Sequence, residues 1–267
     1  MTKSVQGLTP LVCLALFTLP LSTCAAGADL ADESAQEPGF TAEAGLATEY
    51  VQRGFRRSDG RPAAEAGIGY VHPSGWSAGT RVATVSDRAI TNGSVEWEVL
   101  GGYSGMLSGV GYSLMGHYFT YPGAGPSVNG VRFGYGEISA GVSYKALYAK
   151  YNYTVTRNYF GIANARGTGY LDGGANIDLS DATMLNLHAG EGSVAGAGND
   201  YWNWRDVKVG VTHSFAGGWK LSGAYTRAFG ATHAYERSTT NMLDRSARIG
   251  YTDPGKNTFV VALSRTF

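Results

Sequence analysis

Ionisable residues recur two apart along this sequence, a spacing that puts them on one face of a strand and on no single face of a helix. Glu96 and Glu98 form one such pair, and Asp206 with Lys208 another. The same parity, followed through the neighbouring alternating segments, collects Glu43, Glu49, Glu65, Glu137, Asp172 and Asp178 among the acids and Arg81, Lys150 and Lys220 among the bases. That makes nine acids against four bases on one set of faces. Facing lipid, each midplane Arg or Lys would cost about 2–4 kcal/mol, so this set must line water or pair with itself. Two readings follow: the groups pair across strands and fill a narrow interior, or they line a polar channel whose surplus carboxylates favour cations and neutral polar solutes.

Catalytic chemistry is poorly represented. His117 and His188 are candidate bases on the same parity, with Ser113 and Asp172 in neighbouring segments, but no Gly-x-Ser-x-Gly elbow accompanies them. The acids and histidines lack metal-ligand spacing, and Ala195-Gly196-Ala197-Gly198 does not join a strand to a helix as a phosphate loop must. No cofactor, no metal and no enzymatic activity are expected.

Arginines supply a second chemistry. Arg53, Arg56, Arg57 and Arg61 crowd one connecting segment beside Asp59, while Arg237, Arg245, Arg248 and Lys256 populate the last. Guanidinium forks suit phosphate. In outward-facing loops they would contact lipopolysaccharide phosphates and sugars, or form an electropositive vestibule that draws anionic solutes.

The elements that must position these residues are strands. Twelve alternating segments run at about 40–50, 63–72, 76–85, 94–103, 109–119, 135–144, 147–156, 169–179, 183–191, 202–215, 219–228 and 258–267. Most approach the 9–11 residues of a tilted membrane strand. Connections after even-numbered segments are tight (Pro73-Ser74-Gly75, Gly105-Met106-Leu107-Ser108, Lys145-Ala146, Ser180-Asp181-Ala182, Ala216-Gly217-Gly218), and those after odd-numbered ones are longer. This predicts an all-β fold: an antiparallel transmembrane β-barrel of 12 strands, with short periplasmic turns and longer extracellular loops. Aromatics near segment ends predict interfacial belts, with Trp76, Phe215, Trp219 and Phe267 on the periplasmic side and Tyr50, Phe119, Tyr121, Tyr201 and Trp202 on the outer side.

Both ends of the chain agree. Lys3, the apolar run Leu11–Leu21 and the small-residue site Ala26-Gly27-Ala28 predict a signal peptide over 1–28, with a periplasmic tail over 29–39 and the barrel over 40–267. Leu21-Ser22-Thr23-Cys24 is the competing reading, a lipoprotein box for which Thr23 is a poor fit. The cysteines, Cys13 and Cys24, both precede the predicted cleavage, so no disulfide is expected afterwards. At the other end Phe259, Val261, Leu263, Arg265 and Phe267 share a face, and the terminal aromatic reads as an assembly signal for the outer-membrane insertion machinery. The balance of 21 Lys and Arg against 21 Asp and Glu gives no basis for a nucleic-acid partner, and the 39 glycines and 17 tyrosines suit short, closely packed strands with aromatic girdles.

The first hairpin carries a family resemblance. Tyr50-Val51-Gln52-Arg53-Gly54 with Ser58, Pro62-Ala63, and Gly69-Tyr70-Val71-His72-Pro73-Ser74-Gly75-Trp76 with Gly79 resemble the TorF-type family of proposed porins from proteobacterial outer membranes. Glu96, Gly102-Tyr103, Tyr118, Tyr121-Pro122, Glu137 and the closing Ser264-Arg265-Thr266-Phe267 extend the match, which is specific over about residues 44–137. Ala64-Glu65-Ala66 and Arg81 depart from the family pattern at positions predicted to face the lumen. The resemblance implies an integral outer-membrane barrel with a porin role. The expected function is passive passage of small hydrophilic solutes, with outer-membrane lipid and lipopolysaccharide as surroundings. The alternative is a structural or surface-interaction barrel with a plugged lumen. No segment reads as a trimer interface, and the sequence leaves the oligomeric state open.

Overall fold

The computed structural model describes residues 38–127, 129–230, 235, 238–243 and 249–267, the backbone alone over 238–243 and 249–252. The predicted signal peptide, nearly all of the predicted tail, and Arg237, Arg245 and Arg248 lie outside the described residues.

Alternation becomes a closed antiparallel barrel of twelve strands. They are β1 Gly39–Ala47, β2 Ala63–Val71, β3 Trp76–Thr84, β4 Val95–Leu107, β5 Val110–Thr120, β6 Tyr135–Tyr144, β7 Leu147–Thr154, β8 Gly169–Ser180, β9 Thr183–Ser193, β10 Trp204–Ser214, β11 Trp219–Gly230 and β12 Thr258–Thr266. Each pairs with its sequence neighbours, and β12 closes on β1 with Glu43 opposite Thr266 and Ala47 opposite Ala262. Closure removes the two sheet edges that lipid cannot hydrogen-bond.

Side chains sort as that environment demands. Leu46, Ile68, Val99, Leu114, Val142, Leu171, Val209 and Leu263 are exposed on the outside, while Glu43, Glu96, Glu98, Glu137, Asp172 and Asp206 are buried inside. A water-soluble sheet shows the reverse. On β12, Phe259, Val261 and Leu263 point outward with Phe267 beyond them, and Val260, Ala262 and Ser264 point inward.

The tight turns share one end of the barrel with Gly39 and Phe267. Here the second of them corrects the sequence expectation. Strand β4 continues to Leu107, which pairs with Val110, so the turn is Ser108-Gly109 and not Gly105–Ser108. Ser108 (φ 52°) and Gly109 (φ 80°) supply the two left-handed residues of a two-residue hairpin. At this end Trp76, Phe215, Trp219 and Phe267 are exposed. The Arg265 guanidinium lies 5.5 Å from the Trp219 ring centre and 4.7 Å from that of Phe267. It also donates to the Gly217 carbonyl at 3.2 Å, which holds it at the rim.

The outer belt differs from expectation. Tyr201 is exposed, but Tyr50, Phe119 and Tyr121 are buried. Phe119 has the inward parity of β5, and Tyr50 and Tyr121 stand past their strand ends on loops that turn into the barrel.

Candidate functional site

The inward turn of the first loop, residues 48–62, creates the site. Within it Val51–Gln52 pairs with Phe55–Arg56 to make a miniature hairpin around Arg53 (φ 49°) and Gly54 (φ 77°). A β-carbon at Gly54 would stand 2.4 Å from Cβ of Asp206 on β10 and 2.8 Å from that of Ala228 on β11, so only glycine fits this tip against the wall. Arg53 reaches Glu137 on β6 with a two-pronged ion pair, Nη1 to Oε1 at 2.9 Å and Nη2 to Oε2 at 2.7 Å. Its guanidinium lies 4.5 Å from the centre of the Tyr170 ring on β8. The loop therefore leaves β1 and is tied to far parts of the wall.

Its root is fixed as well. Glu49 accepts from Arg56 Nε at 2.9 and 3.0 Å and from the Gly60 backbone at 2.5 Å. The Ser58 hydroxyl accepts the Tyr50 N–H at 2.9 Å and donates to the Arg61 carbonyl at 2.7 Å. Backbone bonds join Arg56 to the Pro254 carbonyl and Ser86 to the Arg57 carbonyl. Arg53, Arg56 and Arg57 are thus largely enclosed by protein; of the four predicted surface arginines only Arg61 is well exposed, where it pairs with Asp87. Loop composition signals charge but carries no periodicity to say which way a side chain faces.

Below the hairpin the wall carries two ionic clusters. In the first, Arg81 on β3 meets Glu65 at 2.9 Å, Glu98 at 3.2 Å and Glu96 at 3.5 Å. Tyr50 donates to Glu96 at 2.5 Å and accepts from Arg81 at 3.0 Å, while Tyr121 donates to Glu96 at 2.7 Å. In the second, His188 on β9 lies 3.0 Å from Asp172 and 2.6 Å from Asp206, and Tyr170 donates to Asp206 at 2.9 Å. Lys150 stands opposite Asp172 in the ladder, and Lys208 opposite His188. Glu43 borders a crevice of about 20 Å³ with Glu65 and Arg81, room for about one water. Lys220 is half-buried, and Asp178 is exposed toward the turn end of β8. The surplus of carboxylates counted on the strands is largely offset, because the first loop brings three further cations into the same space.

Two of those cations, Arg53 and Arg57, keep their charge. Burial disfavours charged Arg53, but Glu137 and Tyr159 hold its pKa well above the ordinary arginine value. Burial acts likewise on Arg57, and its aromatic and carboxylate neighbours hold its pKa up too. Burial, reinforced by the Glu96 charge, pushes the Tyr121 phenol well up and keeps it a donor.

Above the ionic layer sits an aromatic cap. Phe119 stacks on Tyr135 at 4.7 Å, Tyr159 packs edge-on to Tyr135 at 4.9 Å, and Trp204 stacks between Tyr159 and Tyr170. Ile90, Phe133, Ile162 and Val194 from the longer loops complete the same buried cluster. Tyr170 and Trp204 share the parity of Asp172 and Asp206, so their inward direction was available from alternation. The part played by Tyr159 was not, since it lies in an aperiodic loop.

One arrangement resembles nucleophilic catalysis: Ser139 Oγ lies 3.3 Å from His117 Nε2, and His117 Nδ1 lies 2.9 Å from Glu98. Ser139 itself is buried, and its strand is laddered on both sides, opposite Met115 and Asn152. Acyl transfer needs donors aimed at a developing oxyanion. Here the ladders occupy the backbone, and Glu98 is shared with Arg81.

Among solved structures the barrel is similar to the KdgM porin, with a TM-score of 0.50 at 8% identity over 85% of this chain and 99% of that one. It is also similar to the NanC porin, with a TM-score of 0.49 at 11% identity over 85% of this chain and 99% of that one. The likeness to KdgM is one of fold. A search of curated proteins finds no match. The sequence from residue 31 to 267 matches the family described as "Bacterial protein of unknown function (Gcw_chp)", and the chain belongs to that family.

Proposed function

We propose that this protein is an integral outer-membrane channel of porin type for small hydrophilic solutes, narrowed by its own first loop. The observation that carries this reading is the inversion of the barrel: apolar side chains outside, and inside a continuous set of ionisable and hydrogen-bonding groups. Such an interior is costly to build and suits a path that water or polar solutes share. Export by the predicted signal peptide, insertion through the terminal-strand signal at Phe259, Val261, Leu263 and Phe267, and contact of Arg61 with lipopolysaccharide belong to the same reading. So does the resemblance to the TorF-type proposed porins, and a non-enzymatic role.

Purified protein in planar bilayers is expected to give discrete conductance steps smaller than those of a wide, open porin. Silence from correctly folded protein, both intact and with residues 51–57 replaced by a short glycine-serine link, overturns the channel.

A second reading, a plugged barrel that serves surface interaction, draws support from the Arg53–Glu137 tie across the interior. It expects intact protein to be silent and its phenotype to follow the last loop, not the lumen.

A further inference from the structure

Outward of the hairpin lies a cleft of about 140 Å³, walled by Phe55, Tyr159, Phe160, Trp202 and Trp204 and floored in part by Arg57. A cavity of about this size holds a single benzene-sized ring. Two lining residues carry N–H groups whose needs are unmet. Arg57 Nε and Trp204 Nε1 are both buried, and neither has an acceptor among the described residues. Buried donors are nearly always paired, and each left unpaired is costly.

Arg57 makes the imbalance sharper. Arg53, Arg56, Arg61 and Arg81 each have a carboxylate partner, whereas among the described residues Arg57 has the Gln52 side-chain amide at 2.9 Å and no ion pair. Its guanidinium is overlaid by the Phe160 ring at 3.6 Å. Phe160 takes a left-handed conformation (φ 41°), which is uncommon for a bulky residue and marks a position held by its surroundings. Ser127 Oγ and Asn129 Nδ2 both donate to the Gly161 carbonyl and fix the turn that presents it.

We propose that this cleft is a binding site for a small monocyclic carboxylate with an apolar ring, the carboxylate pairing with the Arg57 guanidinium and the ring lying among the aromatic walls. The walls are mostly aromatic, and the Ser127 and Asn129 side chains that also line the cleft are engaged by the Gly161 carbonyl, which favours an aromatic acid over a hydroxyl-rich sugar acid. The site deepens the proposed channel by naming the solute its mouth would select, and only that selective role rests on the channel reading.

The test uses the full folded protein in detergent, titrated with benzoate, benzyl alcohol, acetate and glucuronate by calorimetry and tryptophan fluorescence. Benzoate is expected to bind saturably, and each of the other three at least about tenfold more weakly. Arg57→Gln is expected to weaken benzoate about tenfold. Equal binding of benzyl alcohol, acetate or glucuronate overturns the proposal. So does benzoate affinity unchanged in Arg57→Gln. If that variant does not fold, the ligand series on the unaltered protein decides. Saturable benzoate binding by a barrel that is silent in bilayers both intact and with residues 51–57 replaced removes the channel and keeps the site; conductance without benzoate binding does the opposite.

Discussion

Arg53 and Glu137 show how much one pair can decide. Their side chains are 12% and 1% exposed, and they join a loop to a strand 84 residues away. Breaking a buried ion pair by removing one partner costs about 3–5 kcal/mol, because the other charge stays buried without compensation. Glu137→Gln is therefore expected to release the hairpin, seen as larger unit conductance and faster proteolysis at residues 51–57. Replacing both partners by methionine should recover much of the loss. Identical behaviour of Glu137→Gln and the unaltered protein would mean that the pair does not retain the loop. The Glu137 half of this pair was legible from the strand parity of β6, whereas Arg53 read as a surface arginine. Its direction depends on Tyr170, Tyr159 and Glu137 meeting it from distant segments, and nothing local in the sequence encodes that convergence.

At the level of elements, alternation was sufficient for the strands and tight turns were sufficient for their order. The exception at β4 shows the limit: the expected turn covered Gly105–Ser108, but the Ser108-Gly109 pair satisfies the backbone geometry that a two-residue hairpin requires. Loops were the opaque part, because a loop that folds inward and one that faces outward share the same polar, glycine-rich composition. The first loop can be tested without touching a strand. Gly54→Val places a branched side chain where the φ is 77° and where Cβ of Asp206 stands 2.4 Å from the new β-carbon. Strain at such a site costs about 1–3 kcal/mol before the clash is counted. The expected outcome is an intact barrel by circular dichroism and heat-dependent gel migration, with increased conductance. Loss of the barrel itself would show that the hairpin is part of the fold and no movable constriction.

For the whole molecule, closure is the decisive feature. The seam between β1 and β12 runs from Glu43–Thr266 to Ala47–Ala262, and Phe267 extends it, its N–H bonding the Ala42 carbonyl at 2.8 Å. Deleting Phe267 is expected to impair assembly in the outer membrane while leaving export to the periplasm unchanged, as followed by fractionation and gel migration of the folded form. Normal assembly of the shortened chain would remove the role given to the terminal aromatic.

Thr48 gives that seam a further meaning. Its backbone N–H bonds Val261 at 2.9 Å, and its hydroxyl accepts the Val261 N–H at 3.0 Å, so the first loop begins from a point clamped to the last strand. The whole inward turn of the first loop starts after this clamp and ends before Ala63, where β2 begins. Wall and obstruction thus have separate parts: the hairpin takes no share in the pairing of any barrel strand, so selection can remodel the obstruction without renegotiating the wall that contains it.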